Sequence, residues 1–187
     1  SADFKDTDWL WGAESIGFTA RRELFTGTGE GLFSPNLPMT RAMFVTVLWR
    51  MAGSPAAEGG LTFTDLKGEW YRQAVRWAVA NGIADGYSAE RFGPDDPVSR
   101  EQMCVFLCRF LEHLGWTLDR EFSGAAFADG AGISTWAADC VDICTRAGLV
   151  QGVGGNAFAP KQSASRMEVS TLLTRFVTKL VEKYCGV

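Results

Sequence analysis

Arg41, Arg100 and Arg166 each follow a hydroxyl residue (Thr40, Ser99, Ser165) and each opens an apolar helical stretch. The hydroxyls have a structural explanation. At a helix N-cap the side-chain oxygen accepts a backbone N–H, and Glu or Gln three residues on returns the bond as a capping box. Ser99 with Gln102 and Ser165 with Glu168 complete that box, while Thr40 meets Met43 and keeps the cap alone. Capping does not explain the arginine, because the helix macrodipole puts about half a positive charge at that end and disfavours a cation. A guanidinium held there beside free N–H donors makes a site for a carboxylate or phosphate. The competing reading is a solvated arginine, or one paired with Asp6, Asp65 or Asp129. As anion ligands, the three arginines are expected to contribute to binding and little to folding stability.

Other residues recur beside them. Gly27, Gly86 and Gly152 lie in the loops leading to these helices. The simple expectation is a turn with positive φ, and the missing Cβ would also admit a ligand to the backbone. Trp11, Trp70 and Trp136 align between the units and read first as half-buried packing residues, second as faces for stacking on sugar rings. Tyr87, in a polar loop without an aromatic counterpart, is the stronger aromatic ligand candidate. These ten residues form the candidate binding set. No nucleophile and base stand at a repeated position: His113 is the single histidine and lies outside the pattern, and Asp95-Asp96 reads as a turn. No catalytic residue and no cofactor is assigned, and an enzyme is not expected.

The elements that position these residues occur three times. Phe4-Lys5-Asp6, Phe63-Thr64-Asp65 and Phe127-Ala128-Asp129 open the units, and Phe33/Pro35, Phe92/Pro94 and Phe158/Pro160 follow the loop glycine. The first two copies align at a constant 59 residues (27 to 86, 35 to 94, 41 to 100); the third follows at 66 for the late landmarks and 64 for Phe-x-Asp, which places the insertion mostly in the linker. A period of this length marks an array of supersecondary units. Each unit reads as helix, loop, helix. In copy two Trp70, Ala74, Trp77 and Ala78 form one stripe, and Met103, Phe106, Leu107 and Phe110 form the next at i, i+3, i+4, i+7. Asn81-Gly82-Ile83 and Ala147-Gly148-Leu149 stop the first helices through a left-handed glycine; Glu23-Leu24 predicts a less sharp end in copy one. Helices are expected near 9–22, 41–52, 69–81, 100–115, 135–147 and 166–183, in an all-α protein with copies at 1–53, 54–114 and 115–187. The apolar faces are too large for one copy to hide, so the copies pack on one another, as an open solenoid or as a closed three-fold arrangement.

Composition narrows the function. A net charge of −4 argues against nucleic-acid binding, which needs a basic face to displace counterions. No apolar run reaches the roughly 20 residues that span a bilayer. Ser1 opens no charged-then-apolar leader, so an export signal is expected outside this sequence. Cys104/Cys108 and Cys140/Cys144 are spaced i, i+4 and match the donor count of a zinc site, but they align with Val45/Trp49 and Ala74/Ala78. Buried packing positions are therefore expected, and no metal ligand is assigned; with Cys185 the count is odd, against a full disulfide framework.

Taken together, Phe-x-Asp, a Trp-bearing first helix, Gly-Ile, a loop glycine, Phe-x-Pro and a Thr-Arg-Ala-Glu-like box resemble the S-layer homology domain in three tandem copies. The resemblance implies a pseudo-three-fold bundle with grooves between copies, and non-covalent anchoring of exported proteins to secondary cell-wall polymers, often through pyruvylated N-acetylmannosamine. It implies an extracellular, cell-wall location. It maps the family's ligand arginine onto Arg41, Arg100 and Arg166 and its loop glycine onto Gly27, Gly86 and Gly152. The box departs from the family at Met43, Gln102 and Met167, so the grooves are not expected to be equivalent. A second reading is a protein-interaction module that receives S-layer or other envelope proteins in the same grooves.

Overall fold

The apolar stripes fold as helices where their periodicity places them. The computed structural model describes residues 4–119 and 126–186, and among them are six α-helices and no strand. They are α1 (Ala13–Arg21), α2 (Arg41–Met51), α3 (Glu69–Ala80), α4 (Arg100–Leu114), α5 (Ala138–Arg146) and α6 (Arg166–Cys185). The all-α expectation holds. Two helices begin later than the stripes suggest. Residues before α1 are spent in turns, with Leu10 N–H donating to Thr7 O and Ala13 N–H to Leu10 O. Gly12 is packed so close to α6 that a Cβ there would come within 2.5 Å of Met167. In copy three, Thr135–Ala137 forms a 3-10 turn ahead of α5.

Gly82 (φ +66°) and Gly148 (φ +69°) take the left-handed conformation expected past their helices. Copy one, expected to end less sharply, makes the same turn with a strained residue: Glu23 sits at φ +57°. Leu24 N–H then folds back onto Thr19 O at 3.1 Å, as Ile83 does onto Ala78 O at 2.8 Å. Burial of Leu24 offsets the strain, a side-chain burial of this size contributing about 1.5–3 kcal/mol.

The second helix of each copy packs on the first helix of the next: α2 on α3, α4 on α5, and α6 back on α1. Contact between the first and last helices makes this a closed ring of contacts rather than an open solenoid. A cycle of backbone hydrogen bonds runs through the middle. Met39 N–H donates to Ala164 O, Ala164 N–H to Val98 O, and Val98 N–H to Met39 O, at 2.9, 2.9 and 2.8 Å. Around it, Phe44 meets Phe106 at 6.1 Å and Phe110 meets Phe176 at 6.3 Å.

The repeated Phe-x-Asp and Phe-x-Pro segments turn out to be one knot. The Phe4, Phe63 and Phe127 rings pack on Phe33, Phe92 and Phe158 at 5.2, 5.5 and 5.4 Å. Each aspartate clamps the same loop through two N–H groups: Asp6 accepts from Phe33 and Ser34, Asp65 from Phe92 and Gly93, and Asp129 from Phe158 and Ala159. Burial pushes the Asp6 and Asp65 carboxyls up, but the backbone donors outweigh it; the Phe158 and Ala159 N–H groups act directly on Asp129, and all three lie below the ordinary value of 3.8. A depressed folded-state pKa gives stability that is complete above the unfolded value and is lost as pH falls through the folded one. The urea midpoint is therefore expected to drop as pH is lowered from about 5 towards 2. Asp65→Asn, which cannot titrate, should show a smaller drop; equal drops in both proteins would remove the clamp from the account.

Candidate binding grooves

All three arginines stand at the first helical position, as expected, but they are buried: Arg41, Arg100 and Arg166 are 3%, 4% and 6% exposed. Each guanidinium reaches across to the knot of the next copy in the ring. Arg41 donates through Nε to Phe92 O and through Nη2 to Asp85 O. Arg100 does so to Phe158 O and Gln151 O, and Arg166 to Phe33 O and Thr26 O. The helix-start N–H groups are also taken. Arg41 N–H donates to Asp96 O and Ala42 N–H to Pro94 O, with Arg100/Glu101 on Gln162/Pro160 and Arg166/Met167 on Leu37/Pro35. Thr40, Ser99 and Ser165 accept the next N–H as caps, with the box completed by Gln102 and Glu168. Two expectations change. The donors at the helix start are not free for an anion, and the arginines bond across copies, so they are now expected to contribute to stability. The partners common to all three are backbone carbonyls; the aspartates are spent on the knots.

One guanidinium nitrogen of each arginine remains, and the three copies treat it differently. Arg100 Nη1 donates to Glu168 Oε1 at 2.8 Å. Arg166 Nη1 has no partner among the described residues, since the place of Glu168 is held by Met43. Arg41 lies beneath Tyr87, its guanidinium carbon 4.4 Å from the ring centroid, and Arg91 approaches the same ring at 5.0 Å. Gly93 makes room for that ring: a Cβ there would lie 2.5 Å from Tyr87.

Two open cavities collect the predicted residues. One of about 530 Å³ is lined by Trp11, Arg100 and Gly152 with Glu168, Thr171 and Arg175. The other, about 350 Å³, is lined by Trp70, Arg166 and Gly27 with Met43, Thr46 and Arg50. Each cavity draws its tryptophan, arginine and glycine from three different copies. Trp136 stands on the 3-10 turn packed against α4. Trp11, Trp70 and Trp136 are 67%, 56% and 57% exposed, and Trp70 also packs edge-on against Tyr71 at 4.9 Å.

The loop glycines also have a different reason. None of Gly27, Gly86 and Gly152 takes a positive φ; a Cβ on them would meet a carbonyl oxygen, Leu32 O at 2.8 Å, Arg91 O at 2.7 Å or Ala157 O at 2.8 Å. A second arginine series was not read from the sequence, and two of its members, Arg175 and Arg50, line the two cavities. Arg50 and Arg175 donate to Leu24 O and Leu149 O, and Arg109 pairs with Asp85. Its signal was present in the spacing, nine residues after each box arginine (41 to 50, 100 to 109, 166 to 175).

Cys104, Cys108 and Cys144 are buried, as expected, with Cys108 Sγ and Cys144 Sγ 4.0 Å apart between α4 and α5; Cys140 is partly buried and Cys185 exposed. Among the described residues no group of three or more His, Cys, Asp or Glu side chains is arranged to hold a metal ion, and no helix is long and apolar enough to cross a membrane.

The S-layer homology domain model matches residues 2–43, 62–104 and 126–170, and the chain belongs to that family. It is 30% identical over 94% of its length to 10% of an amylopullulanase of Thermoanaerobacterium thermosulfurigenes. It is 30% identical over 60% of its length to 26% of a cellulosome-anchoring protein of Acetivibrio thermocellus, and 22% identical over 88% to 20% of an S-layer protein of Bacillus thuringiensis subsp. finitimus. The chain thus spans a tenth to about a quarter of these relatives.

Proposed function

We propose that this chain is a non-covalent anchoring module of a cell-surface protein, and that it binds an acidic, pyruvylated secondary cell-wall polysaccharide in the grooves between its copies. The observation that carries this reading is the convergence, twice, of an exposed tryptophan, a buried arginine and a close-packed glycine from three copies on one open cavity. An indole face suits a sugar ring, and a guanidinium fixed by two carbonyls suits a carboxylate. The negative net charge is no obstacle, since recognition uses a local cation. Family membership and the names of the relatives support a surface location, and the short share of each relative that is matched supports a tether for other domains rather than a catalyst.

The test is co-sedimentation with purified sacculi before and after extraction of the secondary polymer. Binding is expected to be lost on extraction. Retention on the stripped peptidoglycan, or binding to envelope protein fractions only, would replace the glycan by another partner.

A further inference from the structure

We infer that Cys108 and Cys140 are a redox pair, closing to a disulfide that joins α4 to α5, and so copy two to copy three, when the chain meets a small-molecule disulfide as oxidant. The inference is independent of the glycan reading.

The seams between copies are equivalent in register and differ in chemistry. Where a second helix packs on the next first helix, the same four positions hold Val45 and Trp49 against Ala74 and Ala78, Cys104 and Cys108 against Cys140 and Cys144, and Ser170 and Thr174 against Ser15 and Thr19. Apolar side chains suffice for packing in the first of these seams, so the thiols call for another reason. In the hydroxyl seam Thr19 Oγ1 donates to Ser170 Oγ at 3.3 Å and Thr174 Oγ1 to Ser15 O at 3.4 Å. Side chains that extend one atom past Cβ therefore meet across these positions. That is the reach a disulfide needs, with Cβ atoms about 3.5–4.5 Å apart. The thiols repeat the arrangement. Cys108 Sγ lies 3.8 Å from Cys140 O, and Cys144 Sγ lies 4.0 Å from Cys104 O and from Cys108 Sγ. The helices thus run antiparallel there, with Cys108 opposite Cys140 and Cys104 opposite Cys144.

Access selects the pair. Cys104 and Cys144 are fully buried, while Cys140 is partly open to solvent. Cys140 is the sulfur an oxidant reaches, and Cys108 lies behind it. The Cys140 and Cys144 S–H groups hold Cys108 below the ordinary thiol value against its burial, which supplies the pair with a thiolate. In the exchange, Cys140 Sγ attacks one sulfur of the small disulfide as its proton passes to Cys108. The first small thiolate leaves with the electron pair of the broken S–S bond and takes that proton from Cys108. Cys108 Sγ then attacks Cys140 Sγ and expels the second small thiolate. Two cysteine thiols are oxidised, and one small disulfide is reduced to two thiols. The new bond closes a loop between residues 32 apart in sequence and restricts the unfolded chain.

The test uses the intact chain with Cys185→Ser, which removes the exposed thiol and with it links between chains. The protein is incubated with oxidised glutathione, then unfolded, alkylated and weighed. Of the four thiols that remain, two should resist alkylation with no glutathione retained, and dithiothreitol should restore all four. The oxidised chain should also unfold at higher urea than the reduced one. Cys140→Ala, which installs the residue that Ala74 provides in copy two, should take neither bond nor adduct and should lose the urea shift. Cys144→Ala, matching Ala78, should keep both. Cys108→Ala should trap one glutathione on Cys140, because the sulfur that would expel it is gone; should that variant unfold, Cys140→Ala and Cys144→Ala decide alone. Four alkylated thiols in the oxidised parent, a bond that persists in Cys140→Ala, or one that is lost in Cys144→Ala overturns the inference.

Discussion

Arg100→Ala is expected to cost about 3–5 kcal/mol of folding stability, the loss typical when one partner of a buried charged pair is removed. The side chain is 4% exposed and ties α4 to three acceptors in copy three. Its removal leaves Phe158 O, Gln151 O and Glu168 Oε1 without their donor in one place. Buried acceptors stripped of a partner each cost about 1–3 kcal/mol, and packing cannot refill a guanidinium-shaped hole lined by carbonyls. Arg100→Lys should rescue little, because an ammonium is a point charge and cannot span the fork of Nε, Nη1 and Nη2. Arg166→Ala and Arg41→Ala lose two carbonyl contacts and no ion pair, so they should be milder, at about 2–3 kcal/mol. Urea denaturation at neutral pH measures the series. A loss below about 1 kcal/mol for Arg100→Ala would show that the carbonyls rehydrate freely and that the arginine is no fastening.

This expectation differs from the one drawn from the sequence, because the arginines are buried on carbonyls of the next copy, and the reason is physical. Local order is written in side chains: the stripe Met103, Phe106, Leu107 and Phe110, the Ser99 and Ser165 caps and the glycine stops at Gly82 and Gly148 all fold as their patterns suggest. The arginines instead bond to backbone carbonyls 44 to 140 residues away in sequence, and every residue has a carbonyl, so no residue type marks the acceptor. The knot is half legible for the same reason. Phe-x-Asp and Phe-x-Pro repeat visibly, while the N–H groups that join them do not. Trp11, Trp70 and Trp136 share a periodicity that fits inward and outward faces alike, and only the placement of the neighbouring copy decides between them. Closure of the ring was equally open, because an α2-to-α3 contact looks the same in a solenoid and in a closed array.

Deletion of residues 1–53 is expected to abolish cooperative folding of the remainder. The cut removes α2 from α3 and α1 from α6, two of the three helix pairings between copies. It takes Met39 out of the central cycle, which leaves Val98 N–H and Ala164 O changed or unpaired there. Arg166 loses Phe33 O and Thr26 O, while Phe92 O and Asp85 O lose Arg41. Phe106 also loses Phe44. With buried polar groups costing about 1–3 kcal/mol each when unpaired, these losses rival the whole stability of a domain, about 5–15 kcal/mol. The truncated chain should retain helical circular dichroism, unfold over a broad urea range and expose apolar surface to a hydrophobic dye. Adding residues 1–53 as a separate fragment should sharpen the transition, because the missing acceptors and helix faces return even without the covalent link. A truncated monomer that unfolds in one sharp step would mean that two copies suffice for a core, and the closed ring of contacts would then be a consequence of folding and not its condition.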